Sequence, residues 1–201
     1  MTKDVQDVQP IRNLKKLEDM KWSLKRHCSE RDYIMFILGI NTGLRVSDLL
    51  QLKVKELKGK KKVIVKEGKT DKPRTIHLHN IYEELNSYIK GLDSEWVFPS
   101  RKGENPITRI QAYRQLNKAA DMCDISEGIG THTMRKTFGY WYYKQSKDIA
   151  TLQRILNHSH PEITLRYIGI TEEEIENSLQ SFSCKRKVMQ QGLHRNKNGQ
   201  G

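Results

Sequence analysis

The sequence predicts a mainly α-helical domain carrying a small β-hairpin or three-stranded sheet. Apolar residues recur at three- and four-residue spacing along most of the 201-residue chain, the period of one face of a helix. Only two short runs alternate and are rich in β-branched residues, KVIVKE at 62–67 and RTIHL at 74–78. The GKTDKP between them is dense in turn-forming residues, and the combination signals a hairpin.

Taken in order, a first helix is expected over 13–27, with Leu14, Leu17, Met20 (or Lys21) and Leu24 at helical spacing. Ser29 followed by Asp32 resembles a capping box and opens a second helix through residue 39. Its YIMFILGI run is apolar nearly all round, so this helix is central and buried. Asn41-Thr42-Gly43 is expected to break it, and a short helix follows over 46–52. After the hairpin come a helix over 81–90, a short apolar segment WVF at 96–98 and a longer helix over 108–122. Thr131 is placed to cap a helix reaching 145, with Met134, Phe138, Trp141 and Tyr142 as its core stripe. Asp148 caps another to 156, and Pro161 suits the first turn of the next, which reaches 168. Thr171 with Glu174 is a capping-box pattern for an amphipathic last helix over 171–182, whose apolar positions are Ile175, Leu179 and Phe182.

The composition excludes several classes. No apolar run approaches the ~18 residues of a membrane span, and the start, MTKDVQDVQP, lacks the apolar core of a signal peptide. Cys28, Cys123 and Cys184 are odd in number and without CxxC spacing, which argues against a disulfide framework or a cysteine zinc knuckle and makes a reducing, cytoplasmic compartment the default. Lys and Arg total 36 against 24 Asp and Glu, a formal net charge of +12. The excess is local: residues 53–74 carry net +7 and residues 185–201 net +5. Such an excess points to a polyanion, most simply nucleic acid, or to solubility alone. The tail 185–201 is too polar to order itself, so the expected organisation is a disordered lead at 1–9, one domain at 10–184 and a basic, disordered tail at 185–201.

Four groups of residues admit both a bland and a chemical reading. Arg45 in NTGLRVSDLL opens a helix with Asp48 one turn on, either a structural ion pair or a guanidinium held for bidentate grip on phosphate. His132 and Arg135 in THTMRKTF share a face near a helix start, either an ordinary basic terminus or an anion site. In LNHSHPEITLRYIGI, His158 lies in a turn and Tyr167 nine residues later on the next helix, readable as a cap and half-buried core. Lys69 in the hairpin turn is a solvated lysine or one that reaches into a groove. His158 with His160, and His77 with His79, have no third ligand at recognisable spacing, so no metal and no cofactor is expected.

Arg45 in TGLRxS, a hairpin-turn Lys69, His132 and Arg135 as HxxR, then LxH with His158 and Tyr167 nine residues on: in this order and spacing the set resembles the tyrosine recombinases, or phage integrases, over residues 10–182. The resemblance implies their catalytic-domain fold and a DNA-cutting and rejoining activity. By it, Arg45 and Arg135 clamp the scissile phosphate, Lys69 protonates the leaving 5′ oxygen, and His132 and His158 assist proton transfer and hold the phosphate. Tyr167 is the nucleophile, forming a 3′-phosphotyrosine, and Asp48 braces the cluster. It further implies double-stranded DNA as partner, a tetramer on DNA assembled by exchange of the helix at 171–182, a cytoplasmic, nucleoid-associated bacterial or phage-encoded enzyme, and integration, excision or inversion as outcome. Lys72, Arg74, Arg109 and Arg114 are candidate DNA contacts. Two features depart from the family pattern. The usual LGHS turn is here Leu156-Asn157-His158-Ser159, and Asn is the non-glycine residue that best tolerates positive φ. The usual N-terminal clamping domain is not part of the sequence, as expected of a catalytic half or of a short member similar to the fimbrial phase-variation invertases. A non-cutting DNA-binding regulator and a type IB topoisomerase share parts of this pattern.

The chemistry is consistent with that assignment. Negative charge developing on the non-bridging oxygens calls for fixed cations at close range. A phenol with a pKa of ~10 needs a base or neighbouring cations, and the more basic leaving alkoxide needs a general acid.

Overall fold

A computed structural model describes residues 8–69, 71–125, 128–171, 176 and 180. The chain divides after Ile170, and every element named here belongs to the unit before that point. The helix expected over 171–182 lies outside the described residues except for Glu176 and Gln180, both helical, and the tail 185–201 lies outside them altogether.

The first helix, α1, is Leu14–His27, capped by the Asn13 side chain, which accepts from the Lys16 amide at 3.2 Å. Leu17, Met20 and Leu24 are buried, whereas Leu14, expected on the same face, is 60% exposed. Helix α2, Glu30–Thr42, is the centre of the molecule, with Tyr33 through Gly39 all buried; α1, α5 (Tyr82–Lys90) and α7 (Thr133–Ser146) pack around it. It runs three residues beyond the expected end. The Asn41 and Thr42 side chains, read as breakers, instead donate back to the carbonyls of Ile37 (2.8 Å) and Leu38 (2.7 Å) and continue the helix. Gly43 ends it in the left-handed conformation.

After α3 (Val46–Leu50) comes an unanticipated single turn, α4 (Val54–Leu57). Strands β1 (Lys62–Lys66) and β2 (Pro73–His77) then pair antiparallel, Val63 opposite Ile76 and Val65 opposite Arg74. They are the two paired strands among the described residues; the WVF segment adds only an isolated bridge between Lys53 and Trp96. Helix α6, Arg109–Asp121, starts at a full capping box of Thr108 and Gln111.

Helix α7 crosses α2 at Gly39, where a Cβ would come within 2.6 Å of the Met134 sulfur. This close approach sets the first turn of α7 against the end of α2. The cap position of α7 is His132, not Thr131; the Thr133 hydroxyl accepts from the Gly130 amide at 3.0 Å and shapes the entry. The buried stripe of α7 also differs from expectation, with Met134 and Tyr140 buried while Phe138, Trp141 and Tyr142 are half-buried. Helices α8 (Ile149–Leu156) and α9 (Pro161–Ile168) fold back on α7. Tyr140, Leu152, Leu156 and Ile168 form a second, smaller core there, with Tyr167 packed against it. The lead expected to be disordered through residue 9 is already tied down at that residue, whose amide donates to Gly128 at 3.0 Å. No helix among the described residues is long and apolar enough to cross a membrane.

Candidate active site

The end of α2, the first turn of α7, the turn after α8 and the helix α9 converge on one side of the hairpin. Arg45 stands at the start of α3, where the chain leaves Gly43. Its Nη1 donates to Glu67 Oε2 at 2.8 Å, and Asp48, the partner expected from the sequence, is more distant at 3.9 Å. Arg135 is 3% exposed. Its Nη1 donates to the Gly43 carbonyl at 2.6 Å and its Nη2 to the Leu156 carbonyl at 2.7 Å, so one guanidinium links the ends of α2 and α8. Burial lowers its pKa to about 10, with Tyr167 pulling the other way, and it stays charged at neutral pH.

Tyr167 is half-buried on α9, its oxygen 3.5 Å from His132 Nδ1 and its ring edge-on to that of His158, centroids 5.1 Å apart. Burial pushes the phenol pKa up, while Arg135 and then Arg45 pull it down. The same two arginines act on His158, whose pKa burial lowers first and they lower further. His132 is lowered by burial and then by Arg109, Arg135, Lys136 and Arg45. Both imidazoles are therefore neutral at pH 7, and a neutral imidazole can accept a phenolic proton. The His158 Nδ1 meets the buried Thr164 hydroxyl at 3.0 Å, which leaves Nε2 as the nitrogen available to a substrate oxygen. The turn that presents His158 is made by Asn157 in the left-handed conformation, φ 52° and ψ 48°.

Arg45, His132, Arg135, His158 and Tyr167 thus come together, with Asp48 at their edge. Lys69 does not join them by contact: it is exposed in the hairpin turn and makes no hydrogen bond or ion pair among the described residues. Its turn is nonetheless anchored to the site, because Asp48 Oδ1 accepts from the Gly68 amide at 3.1 Å. Lys72 and Arg114 are exposed, and Arg109, also exposed, lies near enough to His132 to act on it. Arg74 is placed otherwise than the sequence reading expects. Its guanidinium points inward, donating to Glu67 at 3.2 Å, to the Gly43 carbonyl at 3.2 Å and to the Thr42 carbonyl.

Glu67 is the residue the sequence reading missed. Its side chain is 3% exposed and meets Arg45 at 2.8 Å, Arg74 at 3.2 Å and Arg135 at 3.8 Å. Burial alone would raise its pKa; the Arg45 hydrogen bond and the three positive charges outweigh burial and hold it below the usual value. A signal existed. Glu67 continues the inward parity of Val63 and Val65, and Arg74 that of Ile76. Charges on the inward face of a strand require buried partners.

Two guanidiniums, two imidazoles and a phenol are thus gathered at one place on this mainly helical fold. Residues 14–174 match the Phage integrase family, and the chain belongs to that family, the tyrosine recombinases, enzymes of site-specific DNA recombination. It is 49% identical over 177 residues to the probable integrase/recombinase YoeC of Bacillus subtilis (strain 168), covering 87% of this chain and 97% of that protein. It is 29% identical over 178 residues to a tyrosine recombinase of Pseudothermotoga lettingae, covering 86% of this chain and 58% of that one. Among solved structures, XerA recombinase superposes with a TM-score of 0.71 at 20% identity, over 89% of this chain and 65% of its own. XerH recombinase, captured after cleavage of its difH DNA, gives 0.68 at 20% identity, over 87% of this chain and 54% of its own. The chain thus spans the YoeC relative almost whole and between 54% and 65% of those longer recombinases.

Proposed function

We propose that this chain binds double-stranded DNA at a specific site and exchanges its strands through a covalent 3′-phosphotyrosine. The Tyr167 oxygen attacks the scissile phosphorus, the bond to the 5′ oxygen breaks, and Lys69 gives that oxygen its proton. Arg45 and Arg135 neutralise the charge that builds on the non-bridging oxygens. His132 takes the phenolic proton, and the Nε2 of His158 steadies a phosphate oxygen. A 5′ hydroxyl from the partner strand then attacks the phosphotyrosine, giving its proton to Lys69, and the bond to the Tyr167 oxygen breaks as His132 returns the phenolic proton. The ester bond is conserved throughout, so neither a cofactor nor an external energy source is needed. The observation that carries this reading is the position of Tyr167, within the field of Arg135 and Arg45 and beside His132 and His158.

Two recombinases of known structure that share the fold, XerH and lambda integrase, are described bound to DNA, and the basic hairpin and tail give this chain the charge to bind it too. Strand exchange between two duplexes needs two protomers on each, hence a tetramer, and the amphipathic segment 171–182 is the element proposed to pass between protomers. The place of action is the nucleoid, within the cytoplasm. Incubation with a nicked suicide duplex carrying the natural site tests the reading. An SDS-resistant protein–DNA adduct is expected from the parent chain and none from Tyr167→Phe; an equal yield from that variant would overturn the assignment of the nucleophile.

A further inference from the structure

Resting on the strand-transfer reading above, we propose that Glu67 is a positioning residue for DNA cleavage, one that sets the two clamp arginines and the general-acid turn in register with each other. Three sets of contacts point to it. The carboxylate uses one oxygen for Arg45 and the other for Arg74, with Arg135 0.6 Å farther than Arg74, at 3.8 Å against 3.2 Å. The backbone of the same residue closes the hairpin turn at both ends. Its amide donates to Lys72 at 3.1 Å, and its carbonyl accepts from Asp71 at 2.8 Å. Lys69 lies between those bonds. The residue after Glu67 is fastened to Asp48, which itself faces Arg45 at 3.9 Å. Through Glu67, a shift of the turn is a shift of the clamp.

The charges support a tuning role. Arg45, Arg74 and Arg135 bring three positive charges and Glu67 and Asp48 two negative ones, joined by ion pairs of 4 Å or less from Glu67 to each arginine and from Asp48 to Arg45. One positive charge is left, equal and opposite to that of a single bridging phosphodiester. Removing the Glu67 charge leaves two, which favours holding an anion while freeing the guanidiniums to repel one another out of place. Cleavage and binding should therefore respond in different directions, which loss of structure alone does not produce.

The test compares the parent chain with Glu67→Gln and Glu67→Asp on the nicked suicide duplex, reading duplex affinity and the single-turnover rate of adduct formation separately. Glu67→Gln is expected to form adduct about tenfold or more slowly, while its duplex affinity stays within about threefold of the parent or tightens. Glu67→Asp, which keeps the charge one methylene short, is expected to fall between the two. Replacing the leaving 5′ oxygen by sulfur, which departs without a proton, should narrow the Glu67→Gln deficit; an unchanged deficit overturns the link to Lys69. An adduct rate within about threefold of the parent, or an affinity that falls as far as the rate, overturns the positioning role. So does failure of both variants to fold, which would assign Glu67 to the fold alone. A parent chain that forms no adduct on its own site would instead remove the strand-transfer reading itself.

Discussion

Arg135 is held by the carbonyl of Gly43, at 2.6 Å from its Nη1, and Arg74 donates to that same oxygen at 3.2 Å. The carbonyl is aimed there because Gly43 takes φ +61°, and a Cβ at this position would run into the Phe138 ring. A glycine between α2 and α3 thus places an acceptor that serves two guanidiniums. Gly43→Ala is expected to cost about 1–3 kcal/mol through crowding, with about 1–2 kcal/mol more for the left-handed backbone. Adduct formation should fall with it, as Arg135 loses its seat. Urea unfolding and the suicide-duplex assay check both; an unchanged unfolding midpoint would mean that Phe138 yields without strain.

Asn157 turns the chain from α8 to His158 in the left-handed region, and its amide and that of His158 close the helix onto Arg154 (3.1 Å) and Gln153 (3.0 Å). Asn157→Gly should keep the turn, adduct formation and stability within about 0.5 kcal/mol. Asn157→Val, β-branched at positive φ, should destabilise by about 1–3 kcal/mol and displace His158. Thermal unfolding of the pair distinguishes them. Equal melting of the two variants would show that the turn is not held by its backbone conformation.

The hairpin and most helices were legible because each announces itself locally: β-branched alternation at Val63 and Val65, a cap at Ser29 or Asp148, and Pro161 in a first turn. The site set was legible through its order and spacing, which reflect a resemblance more than a local rule. Glu67 and Arg74 escaped because the run 53–74 reads as a solvated basic stretch. Their inward parity tells only once the register, Val65 opposite Arg74, is known. Thr131 was a plausible cap, yet the Gly130 amide bonds the Thr133 hydroxyl and moves the helix start onward. That displacement depends on a turn that neither propensity nor period describes. Asn41 and Thr42 read as breakers because their side chains compete for backbone groups. Here they compete for carbonyls of the helix itself and so extend it.

His132 and His158 both have pKa values lowered from 6.5 by burial and by the arginines beside them. As pH falls through 6.5 the unfolded chain takes up these two protons before the folded chain does, so stability declines with acid and levels off below the folded values. The carboxylate of Glu67 acts lower. Its pKa is held below 4.5, so the stability it contributes is complete above that value and is lost only as pH drops through the folded pKa. Two separate acid phases are expected. Adduct formation should follow the first, since a protonated imidazole cannot accept the Tyr167 proton. Unfolding midpoints and single-turnover rates between about pH 7.5 and 5.5 check this. A double His132→Asn, His158→Gln variant should lose the upper phase of stability, and an upper phase that persists in it would assign that phase to other groups.

Lys69 differs from every other member of the set in making no hydrogen bond or ion pair among the described residues; like His132, it is exposed. Among the described residues no contact rests on its side chain, so Lys69→Ala should leave unfolding unchanged within about 0.5 kcal/mol. Binding should weaken little, because one ammonium is one of many cations available to the duplex and contributes about one unit to the salt slope. On the proposed mechanism Lys69 supplies the proton of the leaving oxygen, so adduct formation should slow by about a hundredfold or more. Sulfur in place of the leaving 5′ oxygen removes the need for that proton and should restore most of the loss. The decisive comparison is thus between two substrates on one variant. If Lys69→Ala is equally slow on both, the ammonium positions DNA instead of protonating it. If affinity falls as far as the rate, its work is done before any bond breaks.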